Sequence, residues 1–211
     1  MTYIPKDFQV PDQETLHDFM RSHDFATIVS SSPGGFVTSH VPVLIRSSDQ
    51  TTIIAGHLAR ANHHWRLMDG ATAALVIFHG PHSYISPTWY KASPSVPTWN
   101  YGVVHAHGLP KANESEPFMR GILKELAQRY EGHRENGWSP ESVPAEYYDK
   151  MLHAIVGFEM PVAKLEGKFK LGQNRSAEDR RGVIAGLEKE GTRDSTWLAE
   201  FMRKWAGAEN K

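Results

Sequence analysis

The chain of 211 residues contains no cysteine. Disulfides, thiolate-bound zinc or iron-sulfur clusters and a cysteine nucleophile are therefore excluded, and nothing in the composition supports an oxidising, extracellular setting. An excess of charge is also missing: 23 Lys and Arg stand against 24 Asp and Glu, a net charge of -1. No long-range field draws in nucleic acid or an acidic membrane, so any such contact must be local. Long apolar runs are absent too. Residues 25–45, 70–90 and 92–110 lack Asp, Glu, Lys and Arg, but Pro, Gly, His and Ser interrupt all three, and none is expected to cross a membrane. The opening Met1-Thr-Tyr-Ile-Pro-Lys has no basic leader followed by an apolar run, so the chain is expected to be cytoplasmic. Neither GxGxxG after a strand nor GxxxxGK[ST] occurs, which leaves out the common glycine-rich nucleotide loops.

What is present is ordinary globular composition, 40% hydrophobic and 22% charged, in a chain long enough to bury its own core. Asp12 to His23 carries Leu16, Phe19 and Met20 at helical spacing behind an Asp12 cap. Strand patterns follow at Phe25 to Ser30, Phe36 to Ile45, Thr51 to His57, Ala71 to His79, Ser83 to Ser86, Trp99 to Leu109 and Ala154 to Met160. Pro42 implies an edge or a bulge in the second of these, and Ser47 to Gln50 reads as the turn after it. Helices are expected around Ala59 to Met68, from Glu116 to Tyr130, after Pro144, from Ser176 to about Lys189, and along the aromatic stripe Trp197 to Trp205. Short strands with few intervening helices argue for an antiparallel barrel or sandwich, mainly β with peripheral helices. The expected division is a barrel over 1–175 and a helical C-terminal extension over 176–211, packed as one domain.

Four motifs put polar side chains where a plain core strand would not: Thr38-Ser39-His40-Val41-Pro42, Gly56-His57-Leu58-Ala59-Arg60-Ala61-Asn62, Pro97-Thr98-Trp99-Asn100-Tyr101, and Lys168 to Arg175. Arg60, Asn62 and the amides of a helix opening there can converge on one anion, most simply a phosphate, with Ser39 and His40 as neutral donors. The other reading is that Arg60 and Asn62 only cap and solvate that helix. Trp99 and Asn100 combine a flat apolar wall with a polar donor, as a ring ligand requires, or they belong to a core or interface cluster. Lys168, Lys170, Gln173 and Asn174 can reach ligand carbonyls or phosphate, or form a solvated basic loop. His105 and His107 share a strand face and can chelate a metal with His79 or His82, but no ligand motif accompanies them, and no metal site is expected. Between Lys164 and Arg181 six cations face three acids; without a helix-turn-helix, DNA contact has weak support.

Ser39-His40-Val41-Pro42, Gly56 to Asn62, Gly80-Pro81-His82-Ser83-Tyr84-Ile85-Ser86-Pro87, Pro97 to Tyr101 with Val104-His105-Ala106-His107-Gly108, and Lys168 to Arg175 occur in order after Tyr3-Ile4-Pro5-Lys6-Asp7-Phe8. Together they resemble the PaiB-type FMN-binding split-barrel proteins over about residues 1 to 190. That resemblance implies a split β-barrel, a homodimer, FMN at the dimer interface and the role of negative transcriptional regulator. A more distant likeness to pyridoxamine-phosphate oxidases implies that His40 and Arg60 hold the FMN phosphate. Asn62 and His63 stand where that pattern has a lysine, so a second cation, Lys168 or Lys170, is expected from elsewhere. From the same motifs Val41, His57, Asn100, Gln173 and Asn174 are expected, with Ser39, Asn62 and Trp99, around the cofactor. The alternatives are an FMN-dependent oxidoreductase or flavin reductase, and a haem-binding split barrel using the histidines.

Overall fold

In the computed structural model, which describes residues 2–48 and 51–208, the strands β1 (Phe25–Ser32), β2 (Gly35–Ser47), β3 (Thr52–Ala59), β4 (Ala74–Ile85), β5 (Thr98–Gly108), β6 (Lys111–Asn113) and β7 (Ile155–Lys170) form one sheet in the order β3-β2-β1-β4-β5-β7-β6. A further pairing of β3 with β7 closes six of them into a ring of hydrogen bonds, which removes their open edges. The pairings with a defined register are antiparallel. Among the described residues five α-helices accompany the strands: α1 (Gln13–Ser22), α2 (Glu116–Glu131), α3 (Ala145–Leu152), α4 (Ala177–Glu190) and α5 (Arg193–Ala208). The mainly β, antiparallel barrel with peripheral helices is thus the observed architecture. Among the described residues no helix is long and apolar enough to cross a membrane.

The chain divides into two compact units: a first of Met1–Leu16, His79–Val104 and Glu166–Lys211, and a second of His17–Phe78 and His105–Leu165. In the second unit the strand pattern separates an inner from an outer face. Ala26, Ile28 and Ser30 of β1, Ser39, Val41 and Val43 of β2, and Ala74, Val76 and Phe78 of β4 are buried. The alternate residues Thr27, Val29, Thr38, His40, Leu75 and Ile77 form the outer face. Toward the end of β2 that outer face is covered: Leu44, with Ala55 of β3, packs on Ile122 and Leu126 of α2. Burying a Leu or Ile side chain in this way contributes about 1.5–3 kcal/mol.

Pro42 sits in an interior strand, neither at an edge nor in a bulge. It pairs with Phe25 of β1, and from Val43 onward β2 pairs with β3, so the residue without an N–H falls where one ladder hands over to the next. Of the turn expected at Ser47 to Gln50, Asp49 and Gln50 lie outside the described residues.

Three other expectations need correction. The α-helix expected over Ala59 to Met68 is a 3-10 segment, His63–Leu67, because Ala59 is still paired with Ile155 in the sheet and the chain cannot coil until Asn62. The two strands expected over Ala71 to Ser86 are the single β4, which runs through Gly80 and Pro81, both buried. The final strand extends ten residues past Met160, to Lys170. Leu165, Gly167, Phe169 and Leu171 face inward while Lys164, Glu166, Lys168 and Lys170 alternate with them, a period of two that the charges disguise as a basic loop. The short β6 has no counterpart among the sequence expectations.

In the first unit, Phe169 packs edge-on against Phe201 and Trp205 of α5, with ring centroids 5.0 Å away in each case. Asp12 caps α1 by accepting from Thr15 N at 2.7 Å, and Val10 N donates to Gly167 O at 3.2 Å. Ser176 caps α4, accepting from Asp179 N at 3.1 Å.

Candidate functional site

The residues singled out in the sequence fall into two groups, one in each unit. In the second unit, the alternation of β2 turns Ser39 and Val41 inward and His40 outward. His40 Nδ1 meets Thr27 Oγ1 at 2.9 Å across the β1–β2 ladder. Ser39, only 5% exposed, belongs to a directed chain of neutral groups. Asn62 Nδ2 donates to Ser39 Oγ at 2.9 Å, Ser39 Oγ meets His64 Nδ1 at 2.9 Å, and His64 Nε2 meets Ser30 Oγ at 3.0 Å. With Nε2 protonated, Ser39 donates to Nδ1 and the Nε2–H donates to Ser30; with Nδ1 protonated both bonds reverse, since a hydroxyl oxygen can accept twice. Burial lowers the His64 pKa below its ordinary value, keeping the ring neutral. Asn62 also caps the 3-10 segment through His64 N at 3.1 Å.

The other two candidates of this unit lie elsewhere. His57 is on the same face of β3 as Ala55, the face under α2. Its buried Nδ1 has no hydrogen-bond partner, and burial lowers its pKa. Arg60 is committed to protein acceptors. Its Nε donates to His153 O at 2.8 Å, Nη1 to Glu114 Oε2 at 2.6 Å and Nη2 to Ile155 O at 3.1 Å. Phosphate binding by this guanidinium would require exchange of the Glu114 carboxylate for the ligand.

In the first unit three candidates converge. Trp99, on the outer face of β5, lies 6.4 Å from the His82 ring and 6.2 Å, edge-on, from Tyr84. Together with His79, Gly80, Tyr101, Gly102 and Val103, Trp99 and His82 line a pocket of about 400 Å³. Lys170 Nζ donates to the Trp99 carbonyl at 2.6 Å and to Thr98 Oγ1. Lys168 Nζ donates to Tyr3 O at 3.1 Å and stands between two rings, 5.4 Å from the Tyr3 centroid and 5.5 Å from that of Tyr101. Burial, and then the charges of Lys168 and Arg175, lower the Lys170 pKa.

The remaining three candidates of the first unit have different surroundings. Asn100, 2% exposed, points to the opposite face of β5, where its Nδ2 lies 3.7 Å from Met202 Sδ. Gln173 spends its amide on the turn, accepting from Leu171 N at 2.8 Å and donating to Phe169 O at 2.6 Å. Asn174 is exposed on the same turn. No group of three His, Asp or Glu able to hold a metal occurs among the described residues.

Sequence reasoning missed His64 and Ser30, whose only signal is a polar residue at an inward strand position. Tyr101 belongs to the motif of Trp99 but is not among the residues expected at the cofactor, although the period of two places it on the face of Trp99.

A flat apolar wall flanked by lysines suits a planar aromatic ligand with an anionic tail, and a flavin nucleotide is such a molecule. A family model described as "Putative FMN-binding domain" matches residues 2–164. The chain belongs to this FMN-binding family. It is also 34% identical over 200 residues to a protein of Bacillus subtilis (strain 168) named "Protease synthase and sporulation protein PAI 2", a match covering 95% of this chain and 96% of that one. Two solved structures share the fold. The flavocytochrome Anf3 from Azotobacter vinelandii has a TM-score of 0.62 at 15% identity, covering 85% of this chain and 78% of that one. A protein of Mycobacterium smegmatis described as binding FAD and haem has a TM-score of 0.59 at 17% identity, covering 84% and 80%. The family match ends at residue 164, so Lys168 and Lys170 of β7 and helices α4 and α5 lie outside it.

Proposed function

We propose that this chain binds FMN as a homodimer and acts as a flavin-dependent regulator of transcription, with the flavin ring against the wall of Trp99, Tyr101 and His82. The observation that carries the flavin reading is the pocket of about 400 Å³ lined by these aromatic and imidazole rings, with no carboxylate among its lining residues, in a member of an FMN-binding family. Bound there, a flavin would supply electron and hydride transfer. The protein's part is to hold the ring flat on Trp99 and to limit water beside it.

The outer face of β1, β2 and β4 ahead of the part under α2 supports the homodimer: Thr27, Val29, Phe36, Thr38, His40, Leu75 and Ile77 carry no formal charge, and Phe36 is 81% exposed. A second copy covering that face would bury apolar surface without desolvating an ion. The regulatory role comes from the resemblance carried by the six motifs.

The test is a visible spectrum of the purified protein after addition of FMN and removal of the excess. Retained flavin bands with quenched emission are expected; a colourless protein overturns the flavin reading. Light scattering should report two copies per particle. If the chain contacts DNA, its affinity should fall steeply with added salt. Saturable oxidation of a reduced nicotinamide by the FMN-loaded protein would replace the regulator with an oxidoreductase.

A further inference from the structure

Several cations in this chain meet acids. In the first unit Lys91 pairs with Glu178 and Arg203 with Glu188. In the second, Arg46 is shared between Glu125 and Glu159, and Arg60 takes Glu114. Lys170 departs from this pattern. It is half-buried, its ammonium rests on two neutral oxygens, Thr98 Oγ1 and Trp99 O, and the charges that act on it are the cations Lys168 and Arg175. Placing like charges around a desolvated ammonium is unfavourable unless an anion joins them. Glu166, two residues before Lys168 on the same strand face, accepts from Thr2 Oγ1 at 3.3 Å.

The donors left over point the same way. An ammonium has three N–H groups and Lys170 uses two, and the Thr98 hydroxyl, while accepting from Lys170, keeps its own O–H to give. Both flank Trp99, and Lys168 lies over the ring of Tyr101; Trp99 and Tyr101 line the aromatic pocket.

We infer that Lys168 and Lys170 form an anion subsite at the edge of the aromatic pocket, taking a phosphate group of the molecule seated against Trp99 and Tyr101. For the ring, the inference rests on the flavin reading above. For the phosphate, it assigns the end of β7 and leaves Arg60 as a structural residue, since Glu114 and two carbonyls already occupy that guanidinium. Two sources share this chemistry: the phosphate of FMN itself, and that of a second, phosphorylated molecule beside the ring.

Titration calorimetry with FMN and with riboflavin, which lacks only the phosphate, separates these cases. Wild type is expected to prefer FMN by about tenfold or more, the effect of a charge-assisted hydrogen bond. Lys170→Met should abolish most of that preference while keeping riboflavin affinity, Lys170→Arg should restore it, and Arg60→Ala should leave it intact. A preference that survives in the Lys168→Met/Lys170→Met double variant, or disappears in Arg60→Ala alone, overturns the inference. If wild type binds both flavins equally, the flavin-loaded protein is titrated with ADP. Binding that Lys170→Met weakens assigns the phosphate to a second molecule, and no such loss overturns the subsite. If neither flavin binds, the ring reading has failed separately and inorganic pyrophosphate is the probe: binding lost in Lys170→Met upholds the subsite, and no binding overturns it.

Discussion

The carboxylate of Asp179, in the first turn of α4, accepts from the backbone N–H of Lys91 at 2.8 Å and from that of Ala92 at 3.2 Å. The acid three residues after the Ser176 cap thus ties down the loop ahead of β5. The Ala92 amide, then that of Lys91 and the Ser176 hydroxyl, holds the Asp179 pKa below its ordinary 3.8. A depressed acid stabilises the fold above its unfolded pKa and loses that contribution as pH falls through the lower folded value. Asp179→Asn is therefore expected to melt earlier than wild type at neutral pH. The gap should narrow as pH drops below 3.8, and an equal gap at every pH in a series of thermal melts would contradict this account.

Gly182 and Gly186, one turn apart in α4, make room for Trp89. A Cβ at Gly186 would lie 2.3 Å from the Trp89 ring, and one at Gly182 would lie 2.2 Å from its carbonyl oxygen. Gly186→Ala should cost about 1–3 kcal/mol by overpacking, despite alanine's better helix propensity. At Gly121 of α2 nothing lies within 4 Å of the added carbon, so Gly121→Ala should gain about 0.5–1 kcal/mol. Urea midpoints of the two variants moving in the same direction would refute this pair of expectations.

Protonation of His64 would make both ring nitrogens donors. Neither the Ser39 nor the Ser30 hydroxyl could then give its proton to the imidazole, and a charge would stand among neutral groups. The folded pKa lies below the ordinary 6.5, so the unfolded chain takes up the proton first. Stability is full above 6.5 and declines as pH falls toward the folded value, levelling off beneath it. His57, also lowered by burial, adds a slope of the same sign. His64→Phe should cost about 1–3 kcal/mol at pH 7.5 by depriving both serine hydroxyls of their imidazole partner. Its denaturation midpoint should also vary less between pH 7 and 5 than that of wild type.

Trp99 is 54% exposed, so its removal should barely touch the fold. Trp99→Leu is expected to weaken FMN and riboflavin alike, by up to about tenfold, the range of a lost ring stack. A loss confined to FMN would place Trp99 at the phosphate instead of the ring.

The barrel was legible because its signals are local: β-branched alternation, a proline and a few caps. What escaped notice depends on partners distant in sequence. The 3-10 segment replaced an α-helix because Ala59 is claimed by Ile155, nearly a hundred residues away. The end of β7 looked like a basic loop because the reading weighed Lys164, Lys168 and Lys170 and overlooked the inward Leu165, Gly167 and Phe169. Among the candidate residues, Trp99, Lys168 and Lys170 were recognisable as donors and ring. Only the structure reveals that Arg60 already has Glu114, or that Ser39 serves a buried histidine absent from the sequence expectations.

The Asn62–Ser39–His64–Ser30 chain also bears on how the strands find their alignment. A sheet of alternating apolar residues tolerates many pairings that differ by two positions, but a one-residue slip of β2 would carry His40 inward and Ser39 out. Directed hydrogen bonds discriminate where greasy contacts do not. With Ser30 opposite Val37, and Ser39 opposite Ile28, a two-residue slip keeps every side chain on its proper face yet pulls the two hydroxyls off the imidazole between them. The buried histidine therefore acts as a key for strand alignment, selecting one pairing from several that hydrophobicity alone would accept.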